Sequence, residues 1–155
     1  MQEITSSQQY DDILKNTHEH NKKFVFIDFY ATWCGPCKTI APSIHEWSKQ
    51  YNKNTLYCQI DVDNSKIFKI IKFFKIKCMP TFVIFDRTDP FSYEKIEGAK
   101  SSAIENMMKE YNNIIVSPDI SYMTSPSTDH QPVQQVRRIQ LVNENDIDHG
   151  DNYPY

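Results

Sequence analysis

Phe24-Val25-Phe26-Ile27-Asp28-Phe29-Tyr30-Ala31-Thr32-Trp33-Cys34-Gly35-Pro36-Cys37-Lys38 is the stretch on which the reading of this chain turns. Phe24 to Tyr30 is apolar at nearly every position, the pattern of a strand covered on both faces in the middle of a sheet. Asp28 interrupts it with a carboxyl group where charge is expensive. Gly35-Pro36 sets a turn, and a proline in the first helical positions costs nothing, because its missing N–H would have had no partner. The residues after Cys37 read as helix, which places Cys34 at or just before the helix N-terminus. Free N–H groups and the positive end of the helix dipole stabilise a thiolate there. On spacing alone the two cysteines fit a redox dithiol, half of a metal site or an inert core pair.

Working outward, Ile4 marks a short first strand over residues 2–5, and Ser6 or Ser7 caps a helix to about His20, with Tyr10, Ile13, Leu14 and Thr17 on its inner face. His18 and His20 read as solvated residues near that helix's C-terminus, without a third ligand for a metal. Beyond the central strand, a helix from Cys37 to about Tyr51 carries Ile40, Ile44 and Trp47 inward, and Pro42 removes one of its hydrogen bonds. Thr55 to Asp63 is a further strand. Lys66 to Phe74 is a short helix with Ile67, Ile70, Ile71 and Phe74 packed and Lys66, Lys69 and Lys72 in water. Cys78-Met79-Pro80 leads a strand from Thr81 to Phe85, Asp86 to Tyr93 reads as a loop, and Ser92 to Glu97 as the last strand. Gly98 breaks the pattern, and Ser101 is expected to cap a final helix to Tyr111, with Ile104, Met107, Met108 and Tyr111 inward.

Trp33-Cys34-Gly35-Pro36-Cys37-Lys38 resembles the active-site motif of the thioredoxin family without a substitution. Lys77-Cys78-Met79-Pro80-Thr81-Phe82 is similar to a second signature, found in the animal-type members. The resemblance covers residues 1–112 and implies an α/β thioredoxin fold, a central mixed β-sheet flanked by helices on both faces. It implies a cis proline at Pro80, on an edge-side strand facing the cysteines, that presents the backbone of Met79 to an extended substrate segment. The implied activity is reduction of disulfides in protein substrates by thiol–disulfide exchange. That chemistry needs an attacking thiolate, a resolving thiol and a proton acceptor, and Cys34, expected to be exposed at the helix N-terminus, Cys37, expected to be more buried one turn in, and Asp28 suit these roles in turn. A buried Asp28 would have a raised pKa, although a carboxyl held by neighbouring backbone is the plainer reading. Trp33, Gly35, Pro36, Met79 and Pro80 would contact substrate. Cys78 is a candidate regulatory thiol near the same surface, and Cys58 an inert core residue. A zinc site made from all four cysteines is disfavoured by their spacing.

No cofactor beyond the redox-active disulfide is expected, with electrons coming from NADPH through a thioredoxin reductase. Isomerase and oxidase relatives carry other dipeptides between their cysteines, and the alternative outside catalysis is a redox-gated binding module. The chain departs from the family pattern in the hairpin, where Pro90 stands in a loop without glycine. The segment between Asp63 and Pro80 is about two residues long for the family, and no lysine accompanies the buried aspartate from Tyr57 to Gln59.

Composition limits the remaining possibilities. A net charge of −3 favours neither nucleic acid nor an anionic membrane as partner. No apolar run is long enough to span a bilayer, and Met1 to Thr5 lacks the basic and apolar regions of a signal peptide. The expectation is a cytoplasmic monomer. Residues 113–155 form a polar, proline-punctuated tail with two basic and six acidic residues, against 15 and 14 in residues 1–112. Such a tail is expected to be mostly disordered, with Val133 to Val142 its one apolar repeat.

Overall fold

A computed structural model of the chain describes residues 1–15 and 22–116. The elements run β1 (Gln2–Glu3), α1 (Ser7–Lys15), β2 (Phe24–Tyr30), α2 (Gly35–Gln50), β3 (Thr55–Asp61), a 3-10 turn (Ser65–Ile67) entering α3 (Phe68–Phe73), β4 (Thr81–Asp86), β5 (Asp89–Glu97) and α4 (Ser101–Asn113). The strands form one mixed sheet in the order β1-β3-β2-β4-β5. β3 runs parallel to both β1 and β2, and β4 is antiparallel to β2 and β5.

The apolar run of β2 follows from its central place in that order. Alternate residues leave opposite faces of a strand, and each set has its own core. Val25, Ile27 and Phe29 join Tyr10, Ile13, Ile67, Ile70 and Phe74 on the face covered by α1 and α3. Phe24 and Phe26 join Ile40, Ile44, Ile104, Met107 and Met108 on the face covered by α2 and α4. Asp28 shares the parity of Phe24 and Phe26, so it points to the α2 face. It is paired in register with Gln59 of β3 and Phe82 of β4.

Several expectations are corrected. β4 is an interior strand between β2 and β5, not an edge-side one. The segment after Asp86 is a tight hairpin rather than a loop to Tyr93, with only Arg87 and Thr88 between the strands. Thr88 donates from its N–H and its Oγ1 to Asp86 Oδ1, at 2.9 and 2.7 Å, so the aspartate side chain closes the turn without glycine. Pro90 fits β5 because an edge strand can spare a donor. Helix α2 begins at Gly35, two residues before the expected start, and runs through Pro42. The last helix is capped by Lys100 without a side-chain hydrogen bond, and Ser101 is its first helical residue. The segment from Lys66 to Phe74 is split into the 3-10 turn and α3, and β3 stops at Asp61 rather than Asp63. Helix α1 is described to Lys15. The expected extension to His20, with Thr17 and His18, lies outside the described residues, as do residues 117–155 of the expected tail.

Candidate active site

The dithiol stands at the C-terminal end of β2, where the chain leaves the sheet and enters α2. Cys34 is the N-cap of that helix, with φ −76° and ψ 109°, and its Sγ accepts a hydrogen bond from Cys37 N at 3.2 Å. The residue is fixed from both sides, because Cys34 N donates to Ala31 O at 3.1 Å and Lys38 N donates to Cys34 O at 3.2 Å. A disulfide joins Cys34 to Cys37, with the Cα atoms 5.3 Å apart. The expected contrast between an exposed Cys34 and a buried Cys37 is absent in this oxidised form, in which both are 5% exposed. Position on the helix separates them instead. Cys34 faces the unpaired N–H groups of the first turn, and Cys37 sits within it.

The other predicted residues fall around this pair. Trp33 is exposed, and its Nε1 donates to Asp63 Oδ2 at 2.8 Å, which holds the indole beside the cysteines. Gly35, Pro36 and Lys38 are all exposed, as Trp33 is. The Met79-Pro80 bond is cis. Met79 packs on the cluster of Ala31, Cys34 and Cys37, and Gly98 N donates to Pro80 O at 2.8 Å. Among the described residues, neither the N–H nor the C=O of Met79 is engaged in a hydrogen bond. Cys78 is exposed beside it, with its thiol 3.9 Å from Thr81 Oγ1. Cys58 lies in the core of the opposite face, where burial pushes its thiol up to about 12.

Asp28 and Cys37 line one pocket of about 320 Å³, together with Tyr30, Lys38, His45 and Gln59 among others. Burial pushes the Asp28 carboxyl up to about 7. Its Oδ1 is buried without a hydrogen-bond partner, so backbone groups do not satisfy it in full. A carboxyl with that pKa can take and release a proton near neutrality. Gln59 stands opposite Asp28 in the β2–β3 register and carries no charge, so β3 places no lysine there. His45 and Gln59 at this pocket were not singled out from the sequence. Their place depends on helix phase and strand register together, and no local motif marks either one. Among the described residues, no group of three or more His, Cys, Asp or Glu side chains is arranged to hold a metal ion, and no helix is long and apolar enough to cross a membrane.

The thioredoxin family model matches residues 2–110. A thioredoxin-2 of Pyricularia oryzae is 35% identical over 105 residues, 68% of this chain, which spans 56% of that relative's length. A thioredoxin of Oryctolagus cuniculus is 34% identical over 110 residues, covering 71% of this chain and 97% of that one. The solved structure of Plasmodium falciparum thioredoxin superposes with a TM-score of 0.60 at 31% identity, over 72% of this chain and 99% of that one. With the fold, the dithiol and these similarities in agreement, the chain belongs to the thioredoxin family, and its Cys34–Cys37 pair is a thiol–disulfide reductase site.

Proposed function

We propose that the chain reduces disulfides in protein substrates through two exchange steps assigned to named groups. In the first, the Cys34 thiolate attacks one sulfur of the substrate disulfide. A mixed disulfide forms, and the other substrate sulfur leaves as a thiolate that takes a proton from solvent. The helix N-terminus favours the thiolate form of Cys34 over a free thiol, which titrates at about 8.5. In the second step Cys37 gives its proton to Asp28 and attacks Cys34 Sγ. This expels the second substrate sulfur as a thiolate, which takes a proton from solvent, and leaves the Cys34–Cys37 disulfide. The substrate segment lies along the free N–H and C=O of Met79 beside Pro80, with Trp33, Gly35 and Pro36 framing the sulfur. Two electrons from NADPH, delivered by a thioredoxin reductase, restore the dithiol. The protein works as a monomer in the cytoplasm, as an electron carrier.

The observation that carries this reading is the Cys34–Cys37 disulfide at the first turn of α2, sharing a pocket with a buried carboxyl. Insulin reduction coupled to NADPH through a thioredoxin reductase tests it. The wild-type chain is expected to turn over and Cys34→Ser to lose all turnover, while Cys37→Ser accumulates a mixed disulfide mapping to Cys34 by mass spectrometry. An adduct at another cysteine would reverse the assignment. A wild-type chain that binds disulfide proteins without reducing them would be a redox-gated binding module instead.

A further inference from the structure

Between Asn64 and Asp86 the chain carries five lysines, Lys66, Lys69, Lys72, Lys75 and Lys77, and no acidic residue. Residues 1–112 hold 15 basic and 14 acidic residues, and without these five lysines the balance is ten against 14. The domain is therefore nearly neutral in sum but carries one uninterrupted cationic segment. All five lysines are exposed, and none forms an ion pair with another described residue. A solvated helix face usually interleaves both signs, and this segment does not.

Its place in the fold ties it to the dithiol. The segment starts just after Asp63, which holds the Trp33 indole, and ends at Met79, which packs on Cys34 and Cys37. Both ends are thus fixed at the reaction site. Ile67, Ile70 and Phe74 anchor its inner side in the core, which leaves the lysines on the outer side. The connection is held back on itself, because Lys75 N donates to Lys72 O at 3.1 Å and Ile76 N to Ile71 O at 3.0 Å, with Lys75 at φ +51°. Lys95 Nζ, paired with Glu97 Oε1 at 3.0 Å, reaches Lys75 O at 3.4 Å and tethers the loop to β5 without adding net charge. Lys72 lies over the exposed ring of Phe68, 5.1 Å from its centroid, so an apolar contact is available beside the charge. Lys77 is two residues from Met79. An extended peptide lying along Met79 advances about 3.3 Å per residue, so its flanking side chains are carried from the sulfur toward Lys77.

We propose that this lysine rim selects protein disulfides whose attacked cysteine is flanked by acidic residues. The inference rests on the reductase reading and names the substrate class for that site. Like-charged lysines along one side of a reactive surface raise the encounter rate of an anionic segment and repel a cationic one, with a strong dependence on ionic strength.

The test uses the full chain with dithiothreitol as reductant and three disulfide peptides that differ only in their flanking residues, all Glu, all Gln or all Lys. The Glu peptide is expected to show a kcat/KM severalfold above the Gln peptide at about 0.02 M salt, with the two converging at about 0.3 M, where screening is nearly complete over the rim. Combined Lys72→Gln, Lys75→Gln and Lys77→Gln substitution is expected to cost the Glu peptide about fivefold, the scale of a few exposed charge pairs, and to leave the Gln peptide unchanged. Equal rates on all three peptides, or an equal loss on all three in the variant, would overturn the proposal. A variant that reduces the Gln peptide faster than wild type would also overturn it, by pointing to the chain's own acidic residues 143–155 as occupant of the rim. Failure to reduce even the Gln peptide would strike at the reductase reading itself.

Discussion

Asp28 shows at the scale of one residue what burial does to a carboxyl. It lies on a strand flanked on both sides, its Oδ1 has no hydrogen-bond partner, and its pKa is pushed up to about 7. An unfolded aspartate titrates near ~3.9, so between that value and about 7 the native state holds a proton that the unfolded state has lost. Stability therefore falls as pH rises through this window, and the full penalty is present above pH 7. A gap of that width corresponds to about 4 kcal/mol. Asp28→Asn is expected to be more stable than wild type by about 2–4 kcal/mol at pH 8 and nearly equal to it at pH 4, as read by urea denaturation. The same variant should resolve the mixed disulfide more slowly. Full turnover at neutral pH would remove Asp28 from the proton path. The sequence announces this residue by itself, because an acid inside an apolar strand carries a desolvation cost that a surface acid does not. The pocket it shares with Cys37 was not legible, since it depends on how α2 lies over the sheet.

At the scale of elements, the end of α4 depends on a residue that gave no signal in the sequence. Asn54, in the polar turn before β3, is buried, and its Nδ2 donates to Ile114 O at 2.7 Å and Asn112 O at 3.1 Å. Lys53 N donates to Asn112 Oδ1 at 2.9 Å. The free carbonyls at the C-terminus of α4 are thus closed by a turn some 60 residues earlier in the chain. Asn54→Ala is expected to destabilise the domain by about 1–3 kcal/mol, the cost of leaving such groups unpaired. Amide exchange should rise most in the last turn of α4, and an unchanged exchange pattern would make the contact incidental. The hairpin at Arg87-Thr88 has the same origin. Asp-x-Thr without glycine reads as loop, and the Asp86 side chain makes it a turn.

At the scale of the whole molecule, the described domain ends where α4 has been capped. Because Ile114 O belongs to that cap, a chain cut after Val116 keeps the hydrogen bonds that the described residues make at the helix end. Such a chain is expected to retain its melting temperature within about 2 °C and its full insulin-reduction rate, since 1 kcal/mol moves the midpoint of a domain this size by about 4–8 °C. A drop beyond that range would make residues 117–155 part of the fold. The sequence by itself determined the parts of this protein that are local. The apolar run of β2 fixes a central strand, and Trp33 to Lys38 fixes a strand–turn–helix with two thiols in its first turn. The alternation of β2 puts Asp28 on the same face as Phe24 and Phe26, because successive residues of a strand leave opposite faces. Only the tertiary structure decided which distant residues meet. β4 lies inside the sheet with β5 as the edge, Gln59 faces Asp28, and Asn54 closes α4, because strand register and helix packing join positions that no short-range pattern links.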